Sequence, residues 1–139
     1  MHVTIADTQA AATRAAAEKI LAVPAGQFAL CPVRDILDRI GDKWSILAIL
    51  HLGSTDSLRF NELRKRTAGI SQRMLTVTLR ALETDGLVRR TVYAEVPPRV
   101  EYQLTSLGQS LLAAVIQLGD WAIAHAPAIA EARQTATVG

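Results

Sequence analysis

The sequence predicts a mainly α-helical protein that carries one small β-hairpin. Three observations lead there. Apolar residues recur at helical spacing through most of the chain. A glycine-containing turn separates a short helical segment from a longer one between residues 60 and 85. Directly afterwards the pattern changes to two short stretches rich in β-branched and aromatic residues, at 87–93 and 99–104.

The chain has 139 residues, half of them apolar and a fifth charged, which is a globular composition for which one domain is the default. Aromatic residues make up only 4%, so Leu, Ile, Val and Ala must build the core. That apolar content is generous for so small a body, and a second copy would cover some of it. The net charge of +2 is unevenly spread. Residues 59–99 hold nine basic and four acidic side chains, whereas the rest holds six and nine. A basic centre between mildly acidic flanks suits a polyanion, although a solvated basic face would look the same.

The one cysteine, Cys31, can form no intrachain disulfide, which argues against a stapled secreted domain. Charges at Asp7, Arg14, Glu18 and Lys19 interrupt any signal-peptide core, and no apolar run of about 18 residues is expected to span a membrane. These features predict a cytoplasmic protein with no membrane association.

The first element is an Ala-rich helix over 7–22, with Asp7 or Thr8 as its cap and Pro24 and Gly26 after its end. Pro32 opens the next helix, because a proline there has no N–H to leave unsatisfied. Gly41-Asp42 interrupts it, and Asp42 can cap a continuation that stops at Gly53. A short helix then starts at Phe60-Asn61, with Asn61 as N-cap, and ends near Thr67. Ala68-Gly69-Ile70 is the turn, and Ser71 caps a longer helix that buries Leu75, Leu79 and Leu82. Gly86 ends that helix in the left-handed conformation. Val96-Pro97-Pro98 then turns the hairpin. The sum is a winged helix-turn-helix. Thr105 caps a final helix that is apolar over so much of its circumference that it needs more than one packing surface. The expected domains are an arm (1–26), the winged helix-turn-helix (27–105), a terminal helix (106–126) and a flexible tail (127–139).

The helix after the turn is the strongest candidate for function. With its leucines inward, Ser71, Gln72, Arg73, Thr76 and Arg80 fall on or near the opposite side. Arg can bond guanine twice, Gln can do so with adenine, and Ser or Thr can meet phosphates or base edges. Asn61, Lys65 and Arg66 are candidate phosphate contacts, and Arg99 beside the wing turn is a candidate for a narrow minor groove. Arg89 and Arg90 alternate along a strand, so only one can share the side that would face DNA, and the sequence leaves open which. Cys31 at a helix N-terminus is either a lowered-pKa thiol open to redox chemistry or a small buried residue. His2, His51 and His125 match no metal spacing, no catalytic set can be assembled, and neither cofactor nor enzyme activity is expected.

The motifs Cys31-Pro32, Gly41-Asp42-Lys43-Trp44, Arg59-Phe60-Asn61-Glu62-Leu63, Ile70-Ser71-Gln72-Arg73-Met74-Leu75, Leu82-Glu83-Thr84-Asp85-Gly86-Leu87, Val96-Pro97-Pro98-Arg99-Val100-Glu101-Tyr102 and Leu104-Thr105 occur in that order. Together they resemble the HxlR-type family of bacterial transcription regulators, which are related to the MarR type. The resemblance covers roughly residues 30–125. It implies a homodimer joined through the terminal helices, read as a repressor with an activator as the alternative. Leu111, Val115, Leu118, Trp121 and Ala122 are then the candidate dimer contacts, and the operator in double-stranded DNA is pseudo-palindromic. It also implies an oxidant, electrophile or aldehyde as effector at Cys31, with an intersubunit disulfide, a mixed disulfide or an adduct as product. The rival readings are a winged-helix module for protein partners, a regulator with a non-covalent ligand, and a one-cysteine thiol enzyme.

Overall fold

The computed structural model describes residues 5–23 and 32–138. Pro24, Gly26 and Cys31, to which the sequence assigns a helix end and a sensor, lie outside those residues. The chain divides into two compact units, residues 1–41 and 42–139.

The first unit holds α1 (Ile5–Leu21) and α2 (Pro32–Ile40). α1 starts at Ile5, so Asp7 lies in its first turn rather than ahead of it, where a carboxylate still complements the helix dipole. No residue of α1 is buried. α2 falls with this unit, not with the helix-turn-helix to which the 27–105 boundary assigns it.

The second unit is built on α3 (Lys43–Gly53), and α4 (Phe60–Arg66), α5 (Gln72–Thr84), α6 (Ser106–Val138) and β3 (Arg99–Leu104) all pack against it. α3 is apolar on most of its circumference, as a helix must be when neighbours surround it. Asp42 caps it as expected: Oδ1 accepts the N–H groups of Trp44 and Ser45, both at 3.0 Å. The Ser45 hydroxyl donates to Oδ2 at 2.7 Å, which lets a serine sit buried in the core. The core joins Ala48, Ile49 and Leu52 of α3 to Leu63, Ile70, Leu75, Leu79 and Leu82 of the helix-turn-helix and to Leu87, Val88 and Leu104 at the base of the wing.

The wing is β2 (Val88–Tyr93) paired antiparallel with β3, in register Val88↔Leu104 to Tyr93↔Arg99. The sequence reading misses a third strand, β1 (Leu58–Arg59), which pairs with the other edge of β3. Two residues are too few to show a period, so only the tertiary pairing defines it.

α4 begins at Phe60 with Arg59 as the flanking residue, and Asn61 is therefore inside the helix, not its N-cap. The free N-terminus is satisfied from the other direction: the Glu62 carboxylate accepts the Arg59 N–H at 2.9 Å. β1 ends at Arg59, so the chain has no room for a capping residue further along.

α6 is the largest departure. It runs through Pro127 to Val138, and the tail placed at 127–139 is helical over its described part. A proline costs one backbone hydrogen bond and kinks a helix; the Ala-rich stretch that follows, with Glu131 and Arg133, restores favourable propensity. By length and composition alone α6 also matches a helix that could cross a bilayer, as a core or interface helix of a soluble protein can. Asp120, His125, Glu131 and Arg133 interrupt its surface.

One junction joins helix-turn-helix, wing and α6. Gly86 has φ 77°, its N–H donates to the Glu83 carbonyl at 3.0 Å, and the Leu87 N–H donates to Leu82 at 2.9 Å. That is a Schellman ending, closed by burial of Leu82 and Leu87. The Thr105 hydroxyl donates to the Gly86 carbonyl at 2.6 Å and accepts the Gly108 N–H at 3.1 Å, while the Thr105 N–H donates to Leu87 at 3.0 Å. A Cβ at Gly108 would fall on the Leu87 carbonyl. Gly108→Ala is accordingly expected to destabilise the protein by about 1–3 kcal/mol, read as a lower urea midpoint. An unchanged midpoint would mean that α6 moves away from the strand at no cost.

Candidate nucleic-acid interface

α5 buries Leu75, Thr78, Leu79 and Leu82, which leaves Arg73, Val77 and Arg80 along its outer side. Ser71 caps the helix by accepting the Met74 N–H at 3.0 Å, so its oxygen is engaged while its proton is free to be donated. Gln72, Arg73 and Arg80 are exposed. Thr76 is half-buried, and its hydroxyl donates back to the Gln72 carbonyl at 2.9 Å. Val77, 55% exposed, stands between the two arginines, with Met74 exposed beside it. Sequence reasoning passed over both, because an apolar residue is read as core. The available signal was position: Val77 is four residues after Arg73 and three before Arg80.

α4 divides its basic residues. Asn61, Arg64, Lys65 and Ile70 line a hollow of about 320 Å³ at the outer edge of the turn. Arg66 leans the other way, with Nη1 donating to the Ser54 hydroxyl at 3.5 Å. Burial, and then the charge of Arg66, hold the His51 imidazole below its usual pKa of 6.5. His51 is half-buried on α3, as a packing residue would be.

The wing's register decides between the two arginines of β2. Arg90 shares a face with buried Val88 and lies opposite Tyr102. That face turns toward α5: Phe60, Gln72, Thr76, Leu79, Arg80, Glu83, Arg90 and Tyr102 together line a notch of about 380 Å³. Arg89 belongs to the opposite face.

Arg99 also lies on that opposite face. Its guanidinium sits 4.1 Å from the Tyr93 ring centre, with Glu95 at 3.4 Å and Glu101 at 3.7 Å. It is tied into the wing rather than presented free at the tip. The tip itself exposes Val96 completely.

The candidate dimer residues separate into two sets. Val115 is 8% exposed and belongs to the chain's own core, and Leu111 is half-buried. Leu118 and Trp121, at 56% and 53% exposure, and Ala122 face away. His125 stacks on Trp121 with ring centres 4.5 Å apart, a packing contact on the surface. Among the described residues no group of three His, Cys, Asp or Glu is placed to hold a metal ion.

Comparison with known proteins agrees with this architecture. A family model described as HxlR-like helix-turn-helix matches residues 39–130. The HTH-type transcriptional regulator YdeP of Bacillus subtilis is 48% identical over 94 residues, which is 68% of this chain and 73% of that protein. Among solved structures, the transcriptional regulator YtfH from Salmonella typhimurium superposes with a TM-score of 0.69 at 38% identity, over 75% of this chain and 92% of that one. The redox regulator HypR in its reduced form gives 0.67 at 43% identity, over 72% and 98%. The chain belongs to the HxlR-like helix-turn-helix family of transcriptional regulators and has its winged-helix fold.

Proposed function

We propose that the protein is a homodimeric repressor that binds a pseudo-palindromic operator in double-stranded DNA, and that modification of Cys31 by an oxidant, electrophile or aldehyde changes its affinity. The carrying observation is the outer side of α5. Arg73 and Arg80 stand exposed on a helix held at both ends, by Ser71 and by the Gly86 junction. Side chains held this way reach a groove with little further ordering. Arg73 suits a guanine edge and Val77 can meet a thymine methyl, while Gln72, on the wing's side of the helix, suits a phosphate at the groove's edge. Asn61 and Lys65, with Arg64, suit phosphates beside the groove. Ser71 and Thr76 can add polar contacts. Arg66 contributes charge from further back. Arg99 serves chiefly to hold the wing's shape, since minor-groove contact would require it to leave two carboxylates.

A rival reading, a module for protein partners, would need an apolar or acidic-complementary patch and would not need arginines on this ridge. An operator-binding role places the protein in the cytoplasm with the chromosome. It also makes the apolar surface of α6 a subunit contact rather than a membrane anchor. Two recognition helices related by a dyad would read half-sites about 34–36 Å apart.

The likeness to HypR, described as a redox regulator, supports the Cys31 reading. Cys31 is the residue before Pro32 in the sequence, and a thiol at a helix N-terminus is favoured as thiolate by unpaired N–H groups.

Three measurements test these statements. Arg73→Ala is expected to weaken operator binding by about 1–3 kcal/mol in a band-shift titration and to relax the preference for one base pair. Unchanged affinity would remove Arg73 from the contacts. Trp121→Glu is expected to halve the mass seen by sedimentation with helix content kept, because Trp121 is half-exposed in the single chain; a dimer of undiminished stability would place the interface elsewhere. Cys31→Ser is expected to bind DNA normally and lose the response to diamide, and a wild-type response in the mutant would acquit the thiol.

A further inference from the structure

We propose that the notch between α5 and the wing is a seat for a phosphodiester group, built by Arg80 and Arg90 and moderated by Glu83. The geometry comes from two elements that pack on each other, α5 and β2. Gln72, Thr76, Arg80 and Glu83 follow at spacings of four, four and three, which places them along one ridge of α5 on the wing's side. From the wing, Arg90 and Tyr102 sit directly opposite each other in the β ladder and project from one face. The two sets meet across about 380 Å³ with Leu79 at the floor.

The charge in this space is unbalanced. It holds two guanidiniums and one carboxylate. Among the described residues neither Arg80 nor Arg90 has an ion-pair partner, in contrast to Arg99 on the other face of the same ribbon. A net positive notch with guanidinium, amide and phenol donors fits one singly charged oxyanion. A major groove is bordered by a phosphodiester strand. A helix that enters the groove with its Arg73 side must pass that strand along its wing-facing ridge, where this notch lies. The proposal therefore rests on the reading of α5 as a groove-entering helix. It adds Tyr102 and Glu83, which the sequence does not single out, and it gives Arg90, one of the two strand arginines between which the sequence leaves the choice open, a specific role. Glu83 opposes the same phosphate, so it holds down affinity for any duplex without touching a base.

The test uses the full chain and two labelled duplexes, one from its own promoter region and one scrambled, in anisotropy titrations between about 50 and 200 mM salt. Arg90→Gln is expected to weaken both by a common factor of about three to ten and to lower the log–log salt slope by about 0.9, one phosphate's worth. Glu83→Gln is expected to strengthen both duplexes with no change in preference, a gain that misfolding cannot produce. Wild-type affinity and slope in Arg90→Gln, or a loss confined to the promoter duplex, would overturn the seat. A further titration with inorganic phosphate, followed by phosphorus NMR, separates the sources. Saturable binding lost in Arg90→Gln, alongside undisturbed DNA affinity, would assign the notch to a free phosphorylated ligand and overturn the proposal. If the wild type bound no duplex in a salt-dependent way, the reading of α5 itself would fail, a result distinct from either variant's.

Discussion

The junction at Gly86, Leu87, Thr105 and Gly108 fixes the working geometry of the second unit. A recognition helix is useful only if its angle to the wing is constant, and a single-residue hinge at its C-terminus would lose that. Here the end of α5, the start of β2 and the start of α6 are bonded within a few residues. Gly86 supplies a backbone conformation that other residues adopt only with strain. Thr105 then spends one hydroxyl on two partners, the Gly86 carbonyl and the Gly108 N–H. Each bond is worth only about 1 kcal/mol net. Their effect is geometric: they remove the freedom that a loop would leave, and they do so next to Leu82, Leu87 and Leu104, whose burial holds the junction dry.

Most of this was legible because it is local chemistry. A serine three residues before the N–H it caps, a glycine where a helix must stop and a threonine before a helical run keep their meaning in any tertiary setting. What failed depended on distance. β1 exists because Leu58 finds Tyr102, and no local pattern reports that. Asn61 is a good capping residue, but β1 already fixes the chain up to Arg59, so the helix starts two positions earlier than a cap at Asn61 would set it. Pro127 is a sound reason to end a helix when only neighbours are considered, yet the residues after it favour helix strongly enough to continue. The breadth of apolar surface on α6 calls for more than one packing partner, but spacing does not say which residues go to which. Packing on α3 divides that surface, with Val115 taken into the chain's own core and Leu118 and Trp121 left out.

The same division explains the site. Alternation along β2 guaranteed that Arg89 and Arg90 part company, but only the burial of Val88 determines which of them turns toward α5. The two faces of the ribbon then differ in chemistry. One carries Arg90 and Tyr102, with no ion pair among the described residues. The other neutralises Arg99 between Glu95 and Glu101 and stacks it on Tyr93. An arginine with its charge already matched has little to gain from a phosphate, and an unmatched one has much. The sequence lists both arginines alike; pairing distinguishes them.

α6 brings a cost that the rest of the molecule must offset. A single chain that leaves Leu118, Trp121 and Ile123 in water forgoes about 25 cal/mol for each Å² of apolar surface that could be covered. Coverage by a second α6, as in the proposed homodimer, would recover it, and would also do something a membrane or a loose aggregate would not. The first turns of α6 are bonded to the end of α5, and Leu112 fills the space that Gly53 leaves on α3. A dyad formed on the distal half would therefore fix the separation and tilt of two α5 helices through one continuous rigid element. In the proposed arrangement the exposed apolar surface would be the part of the protein that measures the spacing of the operator.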